Sequence, residues 1–222
     1  GQFSKRIELS IAVSWGVSSG GVFICGMDSL PAALAAVASS LAVQCGILVD
    51  SLRSADALVR EAATLALWEM AATESGQVAI REAGGLCLIV RELPGIAAAK
   101  ALRRLACDVD NEDAIREAGG IEALVSVVDD AHAPADAREA ACGALQNLAS
   151  KENERNQTAI RACGGLEALA VLAAGGDQWP RSTREAAAAA LRNLRTDAKN
   201  AAALGAMAAS GFFPGAARGV CE

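Results

Sequence analysis

The chain has 222 residues and a formal net charge of −6, and 53% of its residues are hydrophobic although only 3% are aromatic. Without a basic excess the chain is a poor candidate for binding the phosphate backbone of a nucleic acid. The apolar residues are mostly Ala, Leu and Val, and alanine is the strongest helix former. The composition therefore predicts an all-α protein.

Residues 1–28 are predicted to be an N-terminal cap or linker, because the apolar run RIELSIAVSWGV is interrupted by glycines. The uncharged runs Ile11–Met27 and Ser29–Val49 contain many Ser, Gly and Ala residues. Membrane insertion favours Leu, Ile, Phe and Val, so no membrane span is expected. From Leu30, the sequences PAALAAVASS and LAVQCGILVDSL predict two consecutive apolar helices or one bent helix.

A group of three helices then recurs along the chain. The helix SADALVREAATLALWEMAA comes first, with Ser54 or Asp56 as its N-cap. The clearest copy is Asn111–Ser150, which contains NEDAIREAGG, IEALVSVV and ADAREAACGALQNLA. An earlier copy reads SGQVAIREAGG, LCLIVREL and IAAAKALRRLACD, and a later one reads RNQTAIRACGG, LEALAVLAAGG and STREAAAAALRNLR. Each Gly-Gly pair is predicted to end a first helix, and a capping box is predicted at Ser182–Glu185.

The copies are related by a regular interval. Equivalent third-helix positions are Glu69, Arg104, Asn147 and Asn193, at intervals of 35, 43 and 46 residues. Three-helix units of about 40–47 residues are typical of armadillo and HEAT arrays, and the tight Pro94-Gly95 turn is expected to shorten the loop in the 35-residue interval. The predicted units are residues 29–74, 75–110, 111–153 and 154–200 within a repeat region of 29–200, followed by a truncated C-terminal repeat at 201–222.

Catalytic and metal-binding patterns are nearly absent from the sequence. The single histidine, His132, lies in the polar loop DDAHAPAD, so no multi-histidine metal site is expected. No phosphate-binding glycine loop is found either. We therefore expect no enzyme activity, no cofactor and no metal. The seven cysteines are scattered, and their odd number favours buried thiols in a reducing compartment, the cytoplasm with the nucleus left open.

The repeated sequences resemble the armadillo-repeat family. The resemblance is carried by AIREAGGIEALVSVV, AIRACGGLEALAVLA, REAACGALQNLA and REAAAAALRNLR, over roughly residues 41 to 200. It implies a right-handed α-solenoid of about four three-helix repeats, with partial repeats at both ends. In this family the third helices line a concave groove that binds extended peptides or partner proteins.

The resemblance also implies which residues face the groove. The asparagine that lines it in the family corresponds to Asn147 and Asn193, whereas Glu69 and Arg104 stand at the equivalent earlier positions. An Asn row can hold a peptide backbone, because each amide both donates and accepts hydrogen bonds. The alternative is that these amides hold neighbouring helices together. Nuclear-import receptors pair each such Asn with a Trp one turn earlier, and here those positions are Leu65, Lys100, Gly143 and Ala189. A transport-receptor role is therefore not expected.

The predicted function is a non-enzymatic interaction module or scaffold that binds a protein or peptide partner. The candidate groove residues are Glu69, Lys100, Arg103, Arg104, Asn147 and Asn193. The alternative explanation for the charged members is ordinary solvated surface. Trp179 is a candidate partner anchor unless it folds back onto an adjacent helix, and Trp68 is expected in the packing between repeats. The alternative function is structural: end-to-end self-association as a homo-oligomer, or service as an excised part of a longer array.

Overall fold

The structure, a computed structural model, describes residues 30–150 and 153–211, which are all helix, turn or loop. Two compact units divide the chain, Gly1–Gln44 and Cys45–Glu222. The described part of the first unit is the N-terminal part of one helix. The helices are α1 (Leu30–Ser51), α2 (Ala57–Met70), α3 (Glu74–Glu82), α4 (Gly85–Arg91), α5 (Ile96–Leu105), α6 (Val109–Glu117), α7 (Gly120–Asp129), α8 (Ala135–Leu148), α9 (Glu154–Ala162), α10 (Gly165–Ala174), a short 3-10 helix (Gly176–Gln178), α11 (Arg181–Leu194) and α12 (Ala198–Ala209).

The predicted all-α class and α-solenoid architecture are confirmed. In the second unit α3, α6 and α9 are the first helices of successive groups, α4, α7 and α10 are the second, and α2, α5, α8 and α11 are the third. Helices of each kind pack against the next of the same kind in chain order. The predicted pair of apolar helices after Leu30 is one helix, α1. The predicted cap or linker at residues 1–28 lies outside the described residues.

One continuous hydrophobic core runs through the second unit. The same turn of each third helix supplies a buried leucine, and each first helix supplies a buried isoleucine, so apolar burial stabilises every step of the stack. The leucines are Leu67, Leu102, Leu145 and Leu191, and the isoleucines are Ile80, Ile115 and Ile160. Between them the third helices present mostly alanine, which lets them approach closely.

The glycine pairs end the first helices as predicted. Gly84, Gly119 and Gly164 have φ values of 69°, 74° and 81°, in the left-handed region that side chains disfavour. The second glycine of each pair starts the next helix against the preceding isoleucine. A Cβ on Gly120 would lie 2.6 Å from Cγ2 of Ile115. The first glycine of the pair therefore permits the left-handed turn, and the second leaves room for the isoleucine.

The 35-residue interval has a different origin from the one expected. Helix α5 has 10 residues, whereas α2, α8 and α11 each have 14. The Pro94-Gly95 turn therefore replaces the first turn of a helix, because a difference of four residues is about one turn. Of the eight residues by which the 35-residue interval is shorter than the 43-residue one, four are missing from α5, three from α4 and one from the loop between them.

Asp, Asn or Thr side chains cap several of the helices, and only one of these caps was predicted from the sequence. Asp56 accepts a hydrogen bond from the N–H of Leu58 at 2.9 Å, as expected. Side chains of Thr73, Asp108 and Asn153 cap the first helices α3, α6 and α9, and Asp197 caps α12, which takes the place of the next first helix. The capping box predicted at Ser182–Glu185 is wrong: α11 begins at Arg181 after Pro180 and has no side-chain cap.

An arginine near the end of each first helix binds the start of the next first helix. Arg81 donates from Nη1 to Oδ1 of Asp108 and of Asn111, both at 2.9 Å. Arg116 donates to Oδ1 of Asn156 at 2.9 Å. Arg161 donates in the same way to Asp197 and Asn200. Because Asn111, Asn156 and Asn200 are fully buried, these bonds fix the register of the stack.

None of the helices in residues 30–150 and 153–211 has both the length and the apolar character needed to cross a bilayer. The run Ile11–Met27 lies outside this range.

Candidate functional site

The third-helix face, defined here as the exposed side of α2, α5, α8 and α11, carries all six candidate groove residues. The four helices pack side by side in chain order. Equivalent positions therefore form rows across the face, since residues one turn apart lie on the same side of a helix. Glu69 and Arg103 are exposed on it, and the other four candidates are half-buried, namely Lys100, Arg104, Asn147 and Asn193.

One row of these side chains connects each third helix to the one before it. Arg104 donates from Nη1 to the carbonyl oxygen of Trp68 at 2.7 Å. Asn147 donates from Nδ2 to the carbonyl oxygen of Arg103 at 2.9 Å. Asn193 donates from Nδ2 to the carbonyl oxygen of Gln146, also at 2.9 Å. The amide donors of both asparagines are thus used inside the fold, as the alternative interpretation of the Asn row stated.

The accepting carbonyls are those that a helix end leaves without a backbone partner. At the end of α5, the N–H of Cys107 bonds to the carbonyl of Arg104 rather than to that of Arg103. At the end of α8, the N–H of Ser150 likewise bonds to the carbonyl of Asn147. The next third helix supplies the missing donor, so the row is a set of C-terminal caps between helices.

Trp68 lies beneath two cations of the neighbouring helix. Cζ of Arg104 is 4.6 Å from the centroid of the indole ring, and Nζ of Lys100 is 5.6 Å from it. Both distances are within the range of cation–π attraction. The ring is half-buried and packs on the core as predicted. The sequence did not predict that Trp68 also lies on the third-helix face. The repeat alignment could have shown it, because Trp68 precedes Glu69 just as Arg103 precedes Arg104.

A cavity of about 540 Å³ opens on the third-helix face between α2, α5 and α8. Four of the six candidate residues line it, together with three that sequence reasoning did not select as a site. The lining residues are Trp68, Lys100, Arg103, Arg104, Cys107, Gln146 and Asn147. Of the remaining candidates, Glu69 lies beside it, 3.8 Å from Arg104, and Asn193 belongs to the next step of the face.

Two side chains of the cavity have unused hydrogen-bonding capacity. The guanidinium of Arg103 is exposed and makes no ion pair with any described residue, and the amide of Gln146 makes no hydrogen bond within residues 30–150 and 153–211. Arg103 lies across α8 at Gly143, where an added Cβ would be 2.6 Å from its Nε. The glycine in the middle of α8 therefore makes room for an arginine of α5.

Trp179, the candidate partner anchor, lies outside this cavity. Its half-buried ring is 4.3 Å from Cζ of Arg138. Arg138 is 2% exposed and donates to the carbonyls of Asp130 and Ala133, which closes the loop before α8. The indole folds back onto a neighbouring group, and its role as an anchor stays a prediction.

A second cavity, of about 400 Å³, lies between α6 and α9. Its wall has carboxylates that are already bound: Oε2 of Glu112 accepts hydrogen bonds from Ser150 and Asn153. A hydrogen bond from Arg116, more than any other contact, lowers the pKa of Asp113. None of the candidate residues lies here. Within the part of the chain that the structure describes, no cluster of His, Cys, Asp and Glu could hold a metal ion.

Comparisons with known proteins agree with this geometry. Residues 108–150, which are α6 to α8 with the cap Asp108, match the family model of the armadillo/beta-catenin-like repeat. No curated protein sequence matches the chain. A designed armadillo repeat protein is similar in structure, with a TM-score of 0.69 and 22% identity over 98% of this chain and 88% of that one.

Two further structures show the same fold at low sequence identity. The armadillo repeats only protein of Plasmodium falciparum has a TM-score of 0.58 and 19% identity over 82% of this chain and 87% of its own. A structure from work on a phosphorylation switch in the interaction between cadherin and beta-catenin has a TM-score of 0.63 and 19% identity, covering 84% of this chain and 38% of that one. Residues 108–150 are thus an armadillo repeat, and the chain has the fold of the armadillo-repeat proteins.

Proposed function

We propose that this chain is a non-enzymatic interaction module that binds an extended peptide segment of a partner protein along the third-helix face. The observation that supports this most is the cavity of about 540 Å³ to which α2, α5 and α8 all contribute. Ligand sites typically measure about 300–1,000 Å³. Because three successive third helices form its wall, the stacking of repeats creates a binding site that no single repeat contains.

The polar groups of the cavity suit a peptide backbone. Gln146 offers an amide whose donor and acceptor have no partner among the residues that the structure describes. Trp68 and the stem of Arg103 add apolar surface beside it. Alternating hydrogen-bonding and apolar groups are what an extended peptide, with its regular N–H and C=O groups, is able to use.

The fold supports the same function. Armadillo repeats typically act as protein-binding scaffolds without catalytic chemistry, and one similar structure comes from work on the interaction between cadherin and beta-catenin. Fold alone does not identify a partner. The proposal for this chain therefore rests on the cavity and its residues.

A reducing compartment, the cytoplasm in particular, is part of the proposal. The five described cysteines are all unpaired, and two of them, Cys87 and Cys107, are exposed. Exposed thiols of this kind persist where glutathione and thioredoxin keep them reduced.

The proposal is tested by selecting binders from a random library of short peptides displayed against the whole chain. The binding site of each selected peptide is then mapped by the NMR shifts of backbone amides and of the indole N–H groups. We expect the largest shifts at Trp68, Arg103 and Gln146. Gln146→Ala should weaken binding several-fold, because a hydrogen bond to the peptide is lost.

The matched control is Arg91→Ala, which removes an exposed arginine from α4, outside the third-helix face. Its affinity for the selected peptides should equal that of the unchanged chain. Peptides whose shifts cluster at the cavity between α6 and α9, or a library that yields no binder, would overturn the proposal. Sedimentation velocity at rising concentration, run on the same samples, separates peptide binding from self-association.

A further inference from the structure

We infer that the segment bound in this cavity is acidic, with an Asp or Glu side chain of the partner peptide paired to Arg103. The inference rests on the proposed function and adds to it the chemistry of the partner. Its basis is the charge of the wall: three of the seven lining residues are basic, Lys100, Arg103 and Arg104, and none is acidic. This basic site lies in a chain whose net charge is −6.

The three cations differ in how far the protein itself neutralises them. Nζ of Lys100 is 3.6 Å from the Oδ2 of Asp136, and Nη1 of Arg104 is 3.8 Å from the Oε2 of Glu69. Both distances exceed those of charge-assisted hydrogen bonds, and both carboxylates are largely exposed. Arg103 has no such neighbour among the described residues. A planar guanidinium with free N–H groups is the side chain best matched to a carboxylate, which it binds through two parallel hydrogen bonds.

The surroundings of the Trp68 indole argue against a basic partner peptide. An aromatic face in a peptide groove would ordinarily favour a lysine or arginine of the partner. Here Arg104 and Lys100 already lie over that ring, at 4.6 Å and 5.6 Å. A basic side chain entering the cavity would have to displace one of them while facing Arg103. Like charges at this distance repel, so the cavity selects against basic peptides.

The surroundings favour a short acidic segment over a longer polyanion such as a nucleic acid. Eight residues before Glu69, Asn147 and Asn193, the helices α2, α8 and α11 carry Glu61, Glu139 and Glu185, the last of which is paired with Arg181. Carboxylates thus lie on the other third helices, whereas the cations of the cavity lie on α5, and the basic row continues only at Arg192 of α11, which is exposed at the position equivalent to Arg103. A phosphate backbone that crossed the face would meet these carboxylates along its length, whereas one or two acidic side chains at Arg103 would have only Glu69 and Asp136 as acidic neighbours of the cavity's cations.

The test is a double-mutant cycle between the chain and the selected peptides. Each Asp or Glu of the peptide is exchanged for Asn or Gln, and Arg103 is changed to Gln in the chain. We expect each change alone to weaken binding about fivefold, the scale of an exposed ion pair, and the two together to weaken it little further. Higher salt should reduce the affinity of the acidic peptides. Arg91→Gln is the control and should leave the affinity unchanged.

The outcomes separate the two proposals. Peptides that map to the cavity yet are neutral or basic, or whose binding does not respond to Arg103→Gln, would overturn the acidic partner while the peptide-binding function stands. A short single-stranded DNA that competes more strongly than the acidic peptides would overturn the assignment to a peptide. No peptide at the cavity at all would remove the proposed function itself.

Discussion

Asn147 donates its side-chain amide to the backbone carbonyl of Arg103, 2.9 Å away, and thereby joins the middle of the repeat stack at the site where the cavity opens. Arg104 does the same for the carbonyl of Trp68, and Asn193 for that of Gln146. In each case the residue that follows the accepting residue belongs to the row of Glu69, Arg104 and Asn147. Three of the six side chains expected to bind a partner, Arg104, Asn147 and Asn193, therefore hold the helices together, and the residues whose carbonyls they cap line the cavity.

This relationship predicts a stability effect for Asn147→Ala. The substitution leaves a helix-end carbonyl without its side-chain donor, so the free energy of unfolding should fall by about 1 kcal/mol. Urea unfolding followed by circular dichroism measures it. Gln146→Ala is the control, since that amide has no partner in the described structure, and it should change stability by less than about 0.5 kcal/mol. Equal losses in the two variants would contradict the capping role.

A larger loss is expected for Asn156→Ala. Asn156 is fully buried and accepts a hydrogen bond from Arg116 at 2.9 Å. Its removal takes a partner from a guanidinium that is itself half-buried, which costs about 2 kcal/mol. The exposed neighbour Arg155 provides the control as Arg155→Ala. Thermal unfolding of the three proteins ranks them, and a midpoint for Asn156→Ala equal to that of the control would disprove the register-fixing role.

The periodic parts of this fold were predictable from the sequence, and the interactions between repeats were not. Gly119-Gly120 and the helices beside it follow from local chemistry, because a left-handed turn needs glycine wherever it occurs. The capping box at Ser182 failed because the helix already begins at Arg181, directly after Pro180, so Ser182 lies inside the first turn. That Asn147 meets a carbonyl of Arg103 depends on the packing of α8 on α5, which no local pattern encodes.

The candidate site was predictable to a similar extent. Aligning the repeats placed Arg104 and Asn147 in one row, and in the structure both make equivalent bonds to the preceding third helix. The stacking of Trp68 under Arg104 required knowledge of which turn of α2 lies against which turn of α5. Since α5 lacks its first turn, that register could not be read from helix lengths alone.

The two glycines of one pair should respond differently to alanine. Gly119 has a φ of 74° and open space around its Cβ position, so Gly119→Ala should cost only the backbone strain of about 1–2 kcal/mol. A Cβ on Gly120 would lie 2.6 Å from Cγ2 and 2.8 Å from the carbonyl oxygen of Ile115. Because that backbone oxygen has little freedom to move, Gly120→Ala should cost about 3 kcal/mol. The midpoints of urea unfolding give the order, and the reverse order would refute this division of roles.

The thiols should divide by burial in their reaction with iodoacetamide. Burial raises the pKa of Cys142 to about 12 and that of Cys45 to about 11. At about pH 8 both stay protonated and inaccessible, whereas the exposed Cys87 and Cys107 should be alkylated first. Peptide mass spectrometry identifies the labelled sites. Early labelling of Cys142 in the folded chain would contradict its place in the core.

The same shifts have a consequence for stability at high pH. A raised pKa means that the folded state keeps a proton that the unfolded chain loses, starting near the ordinary thiol value of 9.0. The contribution of Cys142 to stability is complete below that pH and declines as the pH rises towards about 12. Cys142→Ala should therefore show a smaller loss of stability between these two pH values than the unchanged chain.

Gly143→Ala should change the position of a side chain on the third-helix face without a loss of stability. Alanine in a helix interior is favoured over glycine by up to about 1 kcal/mol, and the obstacle to a Cβ here is the side chain of Arg103, at 2.6 Å from Nε and 2.8 Å from Cδ. A long flexible side chain is able to move aside. The variant should therefore fold with equal or slightly higher stability while its Arg103 guanidinium takes a new position.

The control for this variant is Gly205→Ala in α12, where nothing lies within 4 Å of the added Cβ. Both variants gain helix propensity, but only Gly143→Ala should shift the Nε–H resonance of Arg103 and change the affinity for a peptide bound in the cavity. If Gly205→Ala altered peptide binding as much, the effect would come from helix stability. If neither variant altered peptide binding, the position of Arg103 along α8 would have no part in recognition. A guanidinium that binds a carboxylate through directed hydrogen bonds must bind it differently once it is moved.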